Sequence, residues 1–167
     1  MKKFRLILAA LAAAALLGGC AHPQIMDLGD SGEHIESELG APQAKVALPD
    51  GGSRWVYSMN PFGEEVWWLI FDKDGKLVKK EQILDYKHFM LIKPGVDTQK
   101  DVWNLFGRYA EHYTFSLINQ TAWMYRFLDE GGFHMACWVQ FDTKGVVTEV
   151  GFGSDPWHER DGSALFP

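Results

Sequence analysis

Apolar and polar positions follow the same order in two successive blocks of the chain. Each block opens with a short stretch of helical spacing. Ile35 and Leu39 make an apolar stripe in the first, and Val102, Leu105 and Phe106 fall at i, i+3 and i+4 in the second. Gly40 and Gly107 stand where the two helices must stop. Thr98 is placed to cap the second helix, with Asp101 three residues on as in a capping box. A polar loop follows, including Pro49-Asp50-Gly51-Gly52 in the first block. Three strands are then predicted from Arg54 to Met59, Glu65 to Asp72 and Lys76 to Gln82. Their counterparts run from Ala122 to Leu128, Phe133 to Asp142 and Val146 to Phe152.

The landmarks recur at nearly constant spacing. Phe71-Asp72-Lys73-Asp74-Gly75 returns as Phe141-Asp142-Thr143-Lys144-Gly145, 70 positions on. Trp55-Val56-Tyr57 returns as Trp123-Met124-Tyr125, and Leu39-Gly40 as Phe106-Gly107. Three landmarks in one order imply a tandem of two units. The boundaries expected are 1–19 for a leader, 20–85 and 86–152 for the repeats, and 153–167 for a polar tail. The Asp-Lys-Asp-Gly run invites a calcium reading, but an EF-hand loop needs a glutamate at its twelfth position, and that position is Ile83. Lying between two strand-like runs, it is predicted to be a hairpin turn.

Strand alternation separates the faces. Trp67, Leu69 and Phe71 share one face, matched by Cys137, Val139 and Phe141; both sets are apolar throughout and are the predicted helix-covered core. The other face carries Val66, Trp68 and Ile70, matched by Ala136, Trp138 and Gln140, with His134 further out. A Trp at the same outward position in both units marks a candidate protein interface of Trp68, Trp138, His134 and Gln140, because interfaces enrich Trp. Packing between the units is the competing use of the same two side chains.

The first twenty residues change the picture. Lys2, Lys3 and Arg5 precede an apolar run from Leu6 to Leu17, shorter than the roughly 20 residues a spanning helix needs. The run ends in Leu17-Gly18-Gly19-Cys20. This resembles the lipobox of bacterial lipoproteins, which implies cleavage before Cys20 and acylation of its thiol. Two or more acyl chains anchor stably where one does not. Ala21 after the cysteine implies sorting to the outer membrane. The chain from Cys20 onward is long enough for one compact domain burying roughly 70% of its unfolded surface. Its formal charge of −6 becomes more negative without the basic leader, so no nucleic-acid partner is expected.

Little suggests catalysis. With Cys20 acylated, Cys137 lacks an intrachain partner and reads as a small buried hydrophobe. His134 lies three residues away, which in a strand is the opposite face. The six histidines include no close metal-ligand pair in sequence, so neither a metal nor another cofactor is expected. The tail from Gly151 is turn-rich and polar and is expected to be a loosely attached C-terminus, with docking of Trp157 on the sheet as the alternative.

These landmarks, with Ile92-Lys93-Pro94-Gly95 ahead of the second helix and Leu39-Gly40-Ala41-Pro42 at the end of the first, resemble the BamE (SmpA/OmlA) outer-membrane lipoprotein family. The tandem form looks like the β-lactamase inhibitory protein as well. The resemblance implies an α+β fold of two tandem repeats, each a helix pair packed on a three-stranded antiparallel sheet. It implies a non-enzymatic role on the periplasmic face of the outer membrane, in contact with an envelope protein such as the β-barrel assembly machinery. No small-molecule substrate is expected. The alternative is a periplasm-facing inhibitor or binding protein that uses its open sheet face.

Overall fold

The computed structural model describes residues 21–160; the leader, Cys20 and 161–167 lie outside the described residues. The chain forms two four-stranded antiparallel sheets, each a meander in chain order. The first comprises β1 (Ala44–Ala47), β2 (Ser53–Ser58), β3 (Val66–Phe71) and β4 (Leu77–Gln82). The second comprises β5 (Glu111–Phe115), β6 (Gln120–Leu128), β7 (His134–Phe141) and β8 (Val147–Ser154). The helices are α1 (Gly32–Leu39), α2 (Tyr86–Phe89), α3 (Gln99–Phe106) and α4 (Pro156–Arg160), with a 3₁₀ turn at Pro23–Ile25. None of the described helices is long and apolar enough to cross a membrane.

This corrects the expected helix pair on a three-stranded sheet. The fourth strand of each sheet comes from the segment predicted to be a polar loop. In the first repeat Ala44-Lys45-Val46-Ala47 pairs with β2, from Ala44 opposite Val56 to Ala47 opposite Ser53. Pro49-Asp50-Gly51-Gly52 is the turn of that hairpin, closed by Leu48 N–H donating to Gly52 O at 2.9 Å. In the second repeat β5 contains Glu111, His112 and Thr114 and pairs with β6 alone. An edge strand needs partners on one side only and carries polar residues that discourage further pairing, so its sequence resembles a loop. The helices are correspondingly sparse: α2 is a single turn capped by Asp85, and among the described residues only the 3₁₀ turn precedes α1.

The two halves repeat in detail. Asp72 Oδ1 accepts from the backbone of Asp74 and Lys76, and Asp142 Oδ1 accepts from that of Lys144 and Val146. Each run is therefore a carboxylate-braced turn. Tyr57 and Tyr125 donate their hydroxyls to Gly40 O and Gly107 O, both at 3.1 Å. Burial pushes both phenols above their usual pKa, with Glu36 adding to the effect at Tyr57 and Cys137 and Tyr109 at Tyr125. The capping box at Thr98 forms with both of its bonds.

The layers run α1, first sheet, α2 with α3, second sheet, C-terminal segment. Ile35 and Met26 pack on Trp67, Leu69 and Phe71 to form a small core on one side of the first sheet. The larger core lies between the sheets. Val56 and Val66 of the first meet Phe89, Val102 and Phe106 from the helices, and these meet Trp123, Tyr125, Phe127, Cys137, Val139 and Phe141 of the second. Burying one such aromatic fully is worth about 1.5–3 kcal/mol. The helix α3 thus serves two sheets: Val102 and Phe106 face its own, while Trp103 and Leu105 reach back toward the first repeat.

Candidate functional site: the outer faces of the two sheets

The outward rows are set by register. In the first sheet Ala44, Val56 and Trp68 lie side by side, and in the second Glu111, Met124, Trp138 and Gly151 do. Trp68 and Trp138 are therefore equivalent, as the alternation predicts, yet their surroundings differ.

Trp68 is half-buried, and its polar atom and ring faces are taken up within the molecule. Its indole Nε1 donates to Leu105 O at 2.6 Å, at the end of α3. The Arg54 guanidinium lies 4.2 Å from its ring centroid, and His88 meets it edge-on at 5.5 Å. Arg54 Nη2 donates to Asn104 O, while its buried Nε finds no hydrogen-bond partner. Burial lowers the Arg54 pKa accordingly. Trp103 Nε1 donates to Gln43 O at 2.9 Å, completing the seat of α3 on the first sheet. As a surface anchor Trp68 is withdrawn, because the neighbouring repeat already occupies its face.

Trp138 is half-buried, and among the described residues its indole N–H has no partner within the protein. It leans over Gly153, where an added Cβ would come within 3.2 Å of the ring. Gln140 lies one row away, beside Ala122 and Glu149. Next to Trp138 the face is covered by the C-terminal segment. β8 continues to Ser154, Asp155 is 1% exposed, and Trp157 sits with its Nε1 donating to Glu111 Oε2 at 3.2 Å. Arg126, 7% exposed, holds this segment in place. Its Nε donates to Asp155 Oδ2 at 2.7 Å and its Nη1 to Pro61 O at 2.9 Å, with the Trp157 ring 4.6 Å from the guanidinium carbon. The described part of the expected tail is thus an ordered cover, and Trp157 docks on the sheet.

His134, at the start of β7, meets Glu64 from the β2–β3 loop of the first repeat. Its Nδ1 is 2.8 Å from Oε1 and 3.0 Å from Oε2. The His158 ring from α4 stacks on the His134 ring, with centroids 3.4 Å apart. One ligand atom from each of Glu64, His134 and His158 can be chosen so that all three lie within 4.8 Å of one another. Sequence reasoning missed Glu64 and His158. One signal was present, since Glu64 and His134 stand 70 positions apart and are equivalent places in the two repeats.

Cys137 is a free, buried thiol on the inner face, and burial pushes its pKa up. It pairs across the sheet with Tyr125 and Phe152, on the opposite face from His134, so the two cannot form a nucleophile and base.

Trp138, Gln140 and His134 therefore share one outer face, while Trp68, also half-buried, is held by the second repeat. No family model, no curated protein and no solved structure matches this chain.

Proposed function

We propose that this chain is a lipid-anchored outer-membrane lipoprotein that acts as a non-catalytic protein-interaction module, tethered through Cys20 and serving outer-membrane protein assembly or envelope integrity. The leader and its Leu17-Gly18-Gly19-Cys20 ending support the tether. The observation that carries the interaction reading is Trp138. It occupies the register position at which the first sheet accepts a helix, and its indole N–H is unpartnered among the described residues. A partner helix could give this indole what Leu105 O gives Trp68.

The test is crosslinking and affinity purification of the lipidated protein from gently solubilised outer membranes, beside Trp138→Ala. β-barrel assembly components recovered with the wild type and lost from the variant are the expected result. Recovery of a soluble periplasmic protein that binds equally well to a Cys20→Ser variant would favour the inhibitor reading and overturn the assembly role.

A further inference from the structure

We infer that Glu64, His134 and His158 bind one divalent transition-metal ion, zinc above all, which clamps the two repeats and the C-terminal helix together. This does not depend on the membrane reading above.

The three side chains come from three separate elements: the β2–β3 loop, the start of β7 and α4. Two imidazoles and a carboxylate are the donor set of a borderline-soft ion; calcium and magnesium prefer oxygen alone. Zinc holds nitrogen and oxygen ligands at about 2.0–2.1 Å, so two ligand atoms on a tetrahedral ion stand about 3.3 Å apart. His134 Nδ1 and the Glu64 oxygens are already 2.8 and 3.0 Å apart, so they need to part by only about half an ångström. Ligation at Nδ1 displaces the hydrogen between them and leaves the neutral imidazole with its N–H on Nε2. Imidazole lone pairs lie in the ring plane, and the His134 and His158 rings are inclined by only 23°. The His158 ring must therefore turn before its nitrogen faces the ion. A water completes the fourth position.

Charge supports the same reading. Arg126 faces two carboxylates, Asp155 and Glu64, so its one positive charge does not balance both. Its short bonds go to Asp155 and Pro61 O, and its contact with Glu64 Oε1 is the longest at 3.5 Å. The Glu64 side chain is only 13% exposed, which makes an unbalanced carboxylate costly there. A divalent ion offsets that charge, while the Arg126 contact to Oε1 orients the carboxylate so that Oε2 can ligate.

The experiment uses the full chain in detergent, stripped with a chelator. It is titrated with zinc by calorimetry and with cobalt(II) by absorption spectroscopy. One ion per chain is expected, with a tetrahedral cobalt spectrum and a raised thermal midpoint. His134→Ala, Glu64→Gln and His158→Ala should each weaken binding by about tenfold or more, and His112→Ala, on the exposed side of β5, should leave it unchanged. The first two variants also break a contact between the repeats, so His158→Ala is the deciding variant. Absence of saturable binding at micromolar zinc, or binding that is unchanged in His158→Ala, overturns the inference.

Discussion

The outer face of the first sheet and that of the second are built alike and covered differently. On the first, Val56 and Trp68 lie under α3, with the indole N–H bonded to Leu105 O. On the second, Met124 is buried beside a docked Trp157, while Trp138 keeps its indole N–H unbonded among the described residues. The first repeat has a successor whose helix caps its sheet. The second must use whatever follows in the chain, and Asp155, Trp157 and α4 cover only part of it. In a tandem of this kind the terminal unit has no following repeat to cover its sheet, and terminal units of stacked repeats need distinct capping for that reason.

The largest effect should come from cutting the cover of the second sheet. Asp155→Asn leaves the buried Arg126 guanidinium without its closest carboxylate and should cost about 3–5 kcal/mol in denaturant unfolding. Trp157 fluorescence should shift toward that of a solvent-exposed indole. A loss below about 1 kcal/mol would mean that the segment is not held by this pair.

The two tryptophans come next. Trp68→Ala removes packing, a hydrogen bond and the Arg54 contact, and should cost about 2–3 kcal/mol. Trp138→Ala should cost about 1 kcal/mol or less. Equal losses in chemical denaturation would erase the distinction between the faces.

The helix-stop glycines sharpen the same contrast. Gly40 and Gly107 have φ of 78° and 65°, so an alanine is strained at either. At Gly107 the new Cβ would also lie 3.2 Å from Gln43 Cβ and 3.3 Å from Val56 Cγ1, whereas nothing lies within 4 Å at Gly40. Gly107→Ala should therefore cost about 2–3 kcal/mol and Gly40→Ala about 1 kcal/mol. The excess at Gly107 measures how tightly the second repeat is seated on the first.

The smallest effect concerns the cap of α3. Thr98→Ala should cost about 1 kcal/mol by thermal unfolding. Hydrogen bonds from the Thr98 side chain and backbone lower the Asp101 pKa. A carboxylate lowered on folding contributes stability above its unfolded value, near pH 4, and loses it as pH falls through the folded value. Asp101→Asn should flatten the acid limb of the stability curve below about pH 4 and leave its slope near neutrality unchanged.

Local pattern made much of this legible. The repeat, the two glycine stops, the Thr98 capping box and the braced turns at Asp72 and Asp142 all depend on residues a few positions apart. The inner faces were legible too, since Trp67, Leu69 and Phe71 and their counterparts Cys137, Val139 and Phe141 alternate cleanly and are buried. The edge strands β1 and β5 were not. Ala44-Lys45-Val46-Ala47 is short, and β5 is polar because one of its sides pairs with nothing in the sheet. The second helix expected in each repeat came from the resemblance; among the described residues the structure has in its place the 3₁₀ turn at Pro23–Ile25 and the single turn α2.

By itself, then, the sequence determined which residues turn, which cap and which face of each strand is apolar, because those follow from backbone geometry at short range. Only the tertiary structure decided what covers each face. Trp68 and Trp138 are equivalent in sequence, and they part company because α3 docks on one sheet and a C-terminal indole on the other. Glu64, His134 and His158 likewise meet because the two repeats and α4 pack at one corner. The spacing marks Glu64 and His134 as equivalent places, but their meeting with His158 follows from burying the apolar faces of two sheets against one shared helix.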